Sequence, residues 1–217
     1  MASSLDRAVE VMDRLRSPGG CPWDAAQTHE SLTRYLLEEA YEVIEAIETG
    51  DLALLREELG DLLLQVLFHS RITQELPPGE AFGIEDVAHD LVAKLVRRHP
   101  HVFAGADAGS AEELNETWEQ QKVAEKGRTS AVDGVPLNQP ALALAAKLVS
   151  RARRAGVAVA APDEDDFGGR LMAVVIDAVD AGVDPEAALR RTARAYRAMI
   201  RASEDPAAPE PADPGQK

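Results

Sequence analysis

Residues 36–68 read LLEEAYEVIEAIETGDLALLREELGDLLLQVLF, from Leu36 to Phe68, and they decide the fold. Apolar residues recur at helical spacing on both sides of Gly50. Leu36, Ala40, Val43, Ile44 and Ile47 precede it, and Leu54, Leu55, Leu59, Leu62, Leu63, Val66 and Leu67 follow. Thr28 is a good N-cap for the first helix, which is expected to run to about Ile47. Gly50 is a C-terminal stop and Asp51 is placed to cap the second helix. A link this short makes the pair an antiparallel hairpin.

The acids of this hairpin form a pattern of their own. At about 100° per residue, Glu39 lies at the edge of the first apolar stripe, with Glu42 about 60° from it and Glu38 a little beyond. On the second helix Glu58 projects between Leu54 and Leu62, and Asp61 is one turn away. Burying the apolar faces brings Glu58 and Asp61 towards Glu39 and Glu42. Like charges gathered at a partly buried site repel strongly, so protonation, nearby Arg or Lys, or bound cations must compensate. Oxygen-only donors without His or Cys are hard and favour magnesium or manganese over zinc. A di-iron carboxylate bundle expects Glu-x-x-His pairs, and no Glu here has a His three residues later. Glu45, Glu48 and Glu57 read as solvated.

Outward from the hairpin the pattern stays helical. Leu5, Val9, Met12 and Leu15 mark an amphipathic helix that SPGGCPWD (17–24) breaks. The second hairpin helix should reach about Glu75, before Pro77-Pro78. Ile84, Val87, Leu91 and Leu95 mark the next, stopped by Pro100. Ser110 with Glu113 is a capping box that opens a helix carrying Leu114 and Trp118, closed by Gly127. After a loop, Pro140 sits in the first turn of a helix that reaches Gly156. A linker with a carboxylate run (157–166) leads to two more helices separated at Gly182, the last starting at Asp184-Pro185. DPAAPEPADPGQK (205–217) cannot bury a core and is expected to be disordered. No strand alternation interrupts this, so the expected fold class is all-α.

Composition agrees. Of 217 residues 45% are hydrophobic but only 4% aromatic, which suits a helix bundle better than a β-sandwich. Lys plus Arg is 23 against 38 for Asp plus Glu, a formal charge of −15. Nucleic acid and anionic membranes are therefore not expected as partners. Cys21 is the single cysteine, so neither an internal disulfide nor a Cys-based zinc site can form. The first residues lack the apolar run of a signal peptide, and no stretch reaches the ~20 apolar residues of a span; the cytoplasm is the expected location.

EExxE (Glu38, Glu39, Glu42) followed by ExxD (Glu58, Asp61) resembles the signature of the MazG family of nucleoside triphosphate pyrophosphohydrolases. GCPWDAAQTHESL before it, ELGDLLLQVLFHS across its second half and KLVRRHPHVF after it strengthen the resemblance. It is dense from Leu15 to about Lys122 and looser to Ala202. It implies a magnesium-dependent enzyme, with manganese a possible substitute, that cleaves NTPs or dNTPs between the α- and β-phosphates. Nucleotide-pool sanitation is one role that implies. By the same resemblance Glu39, Glu42, Glu58 and Asp61 hold the metal, and Glu38 orients or deprotonates the attacking water, a role Glu39 could share.

A triphosphate needs further cations. Lys94, Arg97 and Arg98 supply them on one helix, with Lys94 and Arg98 four apart on one face. The resemblance places phosphate contacts at Lys94 and Arg98. Trp118 offers an aromatic face for a base, with Lys122 one turn later. Trp23 has a similar status, with Asp24, Gln27 and Thr28 as polar contacts to sugar or base. The resemblance further implies a homodimer that completes a four-helix bundle. Residues 1–126 then form the catalytic module, 127–139 a loop, 140–204 a degenerate second module and 205–217 a tail. In the second module Asp166-Phe167-Gly168-Gly169 stands where ExxD is expected, so its second acid is missing. Two alternatives remain: a pyrophosphohydrolase of the phosphoribosyl-ATP type, and a non-catalytic helical interaction protein.

Overall fold

Local capping chemistry sets where the helices begin and end. The computed structural model describes residues 3–105, 109–110, 114, 129–160, 162–163 and 165–204. The chain divides into two compact units, residues 1–115 and 116–217. The described part of the first unit holds α1 (Ser4–Arg16), α2 (Pro22–Ala26), α3 (His29–Thr49), α4 (Leu52–Thr73), α5 (Ile84–Arg98) and α6 (Pro100–Phe103). The second holds α7 (Ala141–Arg154), α8 (Phe167–Asp180) and α9 (Pro185–Glu204). The described residues contain no strand, so the fold is all-α as expected.

The hairpin forms where its sequence places it. Thr28 and Ser31 make a reciprocal capping box, with Ser31 N donating to Thr28 Oγ1 at 3.2 Å and Thr28 N to Ser31 Oγ at 2.9 Å. Gly50 closes α3 in the left-handed region (φ 73°, ψ 18°), which a residue without a Cβ enters freely. Asp51 Oδ1 then accepts from Ala53 N and Leu54 N, both at 3.0 Å. α3 runs two residues past the expected Ile47, and α4 stops two short of Glu75.

The core sits at the open end of this hairpin. Met12 of α1, Leu32 of α3, and Leu67, Phe68 and Ile72 of α4 are buried together, with Ala8, Val9, Leu15, Tyr35 and Ile84 packed around them. Arg16, its side chain 6% exposed, ties the α1–α2 corner down. It donates to the Asp24 and Gln27 carbonyls at 2.6 and 3.0 Å and clasps the Glu75 carboxylate at 2.8 and 3.0 Å. Glu75 also accepts from Arg71, which reaches Asp13 of α1 at 2.8 Å. The sharp turn before α2 needs Gly20, where a Cβ would collide with the Arg14 and Leu15 carbonyls.

Among the described residues of the second unit Val149 of α7 and Val175 of α8 are buried. Arg151 holds the preceding loop by donating to the Ala131 and Asp133 carbonyls at 3.3 and 3.0 Å. Asp166 Oδ1 caps α8 by accepting from Gly169 N at 3.0 Å. Of the expected helices, the one opening at Ser110 lies almost wholly outside the described residues; Leu114 N does donate to Ser110 O at 3.0 Å. The segment 205–217 lies outside them as well.

Candidate metal and phosphate site

Packing α3 antiparallel to α4 converts sequence spacing into proximity. Carboxylate oxygens of Glu39, Glu58 and Asp61 lie within 4.8 Å of one another. Glu58 is 9% exposed, while Glu39 and Asp61 are half-buried. Glu42 is exposed but within reach, since its carboxylate acts on both Glu39 and Glu58. Glu38 is exposed on the neighbouring face of α3.

Electrostatics marks the cluster as incomplete on its own. Burial raises the Glu39 carboxyl above its ordinary range, and Asp61, Glu42 and Glu58 raise it further. Burial is also the main cause at Glu58, followed by the charges of Glu42, Asp61 and Glu57. Three converging carboxylates with no His or Cys among them suit a hard divalent cation, whose charge would relieve that repulsion. The donor set therefore fits magnesium or manganese.

The remaining sequence candidates are placed differently. Lys94 and Arg97 are exposed on α5 and line an open groove with Phe82, Asp86, Asp90 and Leu91; none of the four acids lines it. Arg98 is half-buried. Trp23 of α2 is 51% exposed and stands edge-on to Tyr35 and Phe68, with ring centroids 6.0 and 6.4 Å away. Gln27 and Thr28 have local work: Gln27 donates to the Trp23 carbonyl at 2.9 Å and accepts from Ser31 Oγ at 2.7 Å, and Thr28 caps α3. Trp118 and Lys122 lie outside the described residues.

One arrangement has no counterpart in the sequence reading. His29 at the start of α3 and His69 on α4 stack in parallel, their Nδ1 atoms 2.7 Å apart. Burial, then the neighbouring His29, lowers the basicity of His69. The available signal was spacing: His69 is two i, i+4 steps from Asp61 and shares its helix stripe.

Fold and cluster define an all-α protein whose central hairpin carries an oxygen-only carboxylate site. Known proteins agree. The family description "MazG nucleotide pyrophosphohydrolase domain" matches residues 27–103. A Streptomyces cacaoi protein known as the uncharacterized 26.1 kDa protein in blaB 3′ region is 55% identical over 90% of this chain and 81% of its own. The nucleoside triphosphate pyrophosphohydrolase/pyrophosphatase MazG of Thermotoga maritima is 38% identical over 88% of this chain and 82% of its own. The nucleoside triphosphate pyrophosphohydrolase of Mycobacterium tuberculosis is 45% identical over 91% of this chain, which spans only 57% of that protein. A crystal structure of a mazG-related protein from Thermotoga maritima matches 54% of this chain and 97% of its own at 32% identity, with a TM-score of 0.44. The chain belongs to the MazG nucleotide pyrophosphohydrolase family.

Proposed function

We propose that the protein is a magnesium-dependent hydrolase that cleaves nucleoside triphosphates between the α- and β-phosphates, giving a monophosphate and pyrophosphate. The observation that carries this reading is the meeting of Glu39, Glu58 and Asp61 oxygens within 4.8 Å across two antiparallel helices. Glu39, Glu42, Glu58 and Asp61 would hold the cation, which supplies charge neutralisation on the phosphates and a more acidic water when bound. Glu38, exposed beside them, accepts the proton of the attacking water. Lys94, Arg97 and Arg98 take the charge that develops on the departing pyrophosphate. Positioning and charge are the chain's contribution, with no covalent intermediate.

Homodimerisation belongs to the same reading. Apolar side chains stay exposed along the hairpin and α5, among them Leu37, Leu59, Leu64, Val92 and Leu95. A second copy would cover them. Trp118 and Lys122 then serve base and phosphate of either subunit's substrate. Among the described residues no helix is long and apolar enough to cross a membrane, which is consistent with a cytoplasmic enzyme.

Product analysis across canonical and modified triphosphates and a phosphoribosylated nucleotide, with and without magnesium, tests the reading. Equimolar monophosphate and pyrophosphate, formed only with magnesium, supports it. Turnover confined to the phosphoribosylated nucleotide would favour the alternative of that type. No turnover, with melting indifferent to metal and nucleotide, would leave a helical interaction protein.

A further inference from the structure

One and two turns beyond Asp61 on α4, two polar groups are sealed in without partners. Gln65 is 4% exposed, and its Oε1 accepts no hydrogen bond among the described residues. His69 Nε2 is likewise buried and unpaired, while its Nδ1 faces His29 Nδ1 at 2.7 Å. Folded proteins satisfy nearly all buried polar atoms, and the exceptions point to a ligand, ion or water that completes them.

Their placement narrows the choice. Asp61, Gln65 and His69 follow one another at i, i+4 and i+8, so they share one stripe of α4 and advance by about 6 Å per step. The stripe starts in the carboxylate cluster and ends at His69, which follows Phe68 in the sequence, and the exposed Trp23 ring stands 6.4 Å from the Phe68 ring. An aromatic face and unpaired polar atoms thus occupy one end, and the acids the other. That order of groups is the order of a nucleotide: phosphates, then sugar, then base.

The histidine pair adds chemical range. A single proton lies between the two Nδ1 atoms of a neutral pair. If His29 donates it, His69 carries its own proton on Nε2 and is a donor there; if His69 donates it, Nε2 is an acceptor. Burial and then the neighbouring His29 lower the basicity of His69, which favours its neutral form, the form that has both tautomers open to it.

We propose that Gln65 and His69 form a nucleoside subsite beside the carboxylate cluster. Gln65 Oε1 accepts a hydrogen bond from a sugar hydroxyl of the bound nucleotide. His69 Nε2 meets the edge of the base, which lies against Trp23. His29 is a positioning residue that holds the His69 ring. The subsite rests on the nucleotide reading above and assigns the part of the ligand that the acids do not grip.

The test compares two probes on the full chain in magnesium by calorimetry. One is a non-hydrolysable α,β-imido nucleoside triphosphate; the other is inorganic tripolyphosphate, which lacks the nucleoside. Wild-type protein should bind the nucleotide probe at least about tenfold more tightly. Gln65→Met and His69→Phe should each weaken the nucleotide probe by about fivefold to tenfold and leave tripolyphosphate within about twofold. Gln65→Met should keep or raise Tm, because it removes an unpaired buried atom, whereas His69→Phe also gives up the hydrogen bond with His29 and should lower Tm slightly. Equal weakening of both probes together with a lower Tm overturns the subsite, because a purely structural role gives that result. Unchanged nucleotide affinity in both variants also overturns it. Wild-type protein that binds the two probes equally overturns the subsite while the hydrolase reading stands. Binding of neither probe overturns that reading and the subsite with it.

Discussion

Glu58 shows how a single residue carries the argument. Its place among leucines was evident in the sequence, and the fold makes it a buried acid facing two others. Glu39 and Glu58 hold protons more tightly in the folded chain than in the unfolded one. From the ordinary carboxylate range up through the raised values, the folded state binds more protons, so the metal-free protein loses stability as pH rises through that window. On the proposed function a bound magnesium ion would take over the compensating role, so the gain in Tm from magnesium should grow with pH across the same window. Melting curves between about pH 4 and pH 8, with and without magnesium, check this. Glu58→Gln should flatten both trends, and a magnesium gain independent of pH would contradict them. Glu75 has the opposite sign. Its hydrogen bond from Arg16 lowers its carboxyl, so its contribution is present above the unfolded value and lost as pH falls through the folded one.

At the scale of the element, the α3–α4 hairpin was legible because its ends are written in local chemistry: Thr28, Gly50 and Asp51 act on backbone groups a few residues away. The register of that turn places Glu39 opposite Asp61. Gly50→Ala should therefore cost about 1 kcal/mol, all of it backbone strain, since nothing lies within 4 Å of the added Cβ. Denaturant unfolding measures it; an unchanged midpoint would show that the left-handed conformation is not needed. α2 was not legible. A five-residue helix owes its existence to Arg16, whose guanidinium reaches the Asp24 and Gln27 carbonyls from another helix. Gln65 and His69 escaped for another reason: their i, i+4 spacing from Asp61 puts them on its stripe, but α4 is apolar on most of its surface, so only the packed neighbouring helices show that Gln65 and the His69 Nε2 atom are buried.

At the scale of the molecule, the −15 charge and the exposed leucines pull in different directions. Net charge keeps chains apart, whereas apolar faces along the hairpin and α5 favour a second copy. Light scattering should give a mass near twice 23.3 kDa, and the mass of one chain would contradict the dimer. In the C-terminal unit Asp166, which the resemblance to a second module would set in the place of an ExxD acid, caps α8 through its side chain. The account rests on acids of two helices gripping one cation and, through it, a polyphosphate. Pyrophosphate release from a triphosphate by wild-type protein and by Asp61→Asn, each titrated with magnesium at matched helical circular dichroism, tests this most directly. The account predicts magnesium-dependent release by the wild type and none by the folded variant. Equal release from both, or release without magnesium, would contradict it.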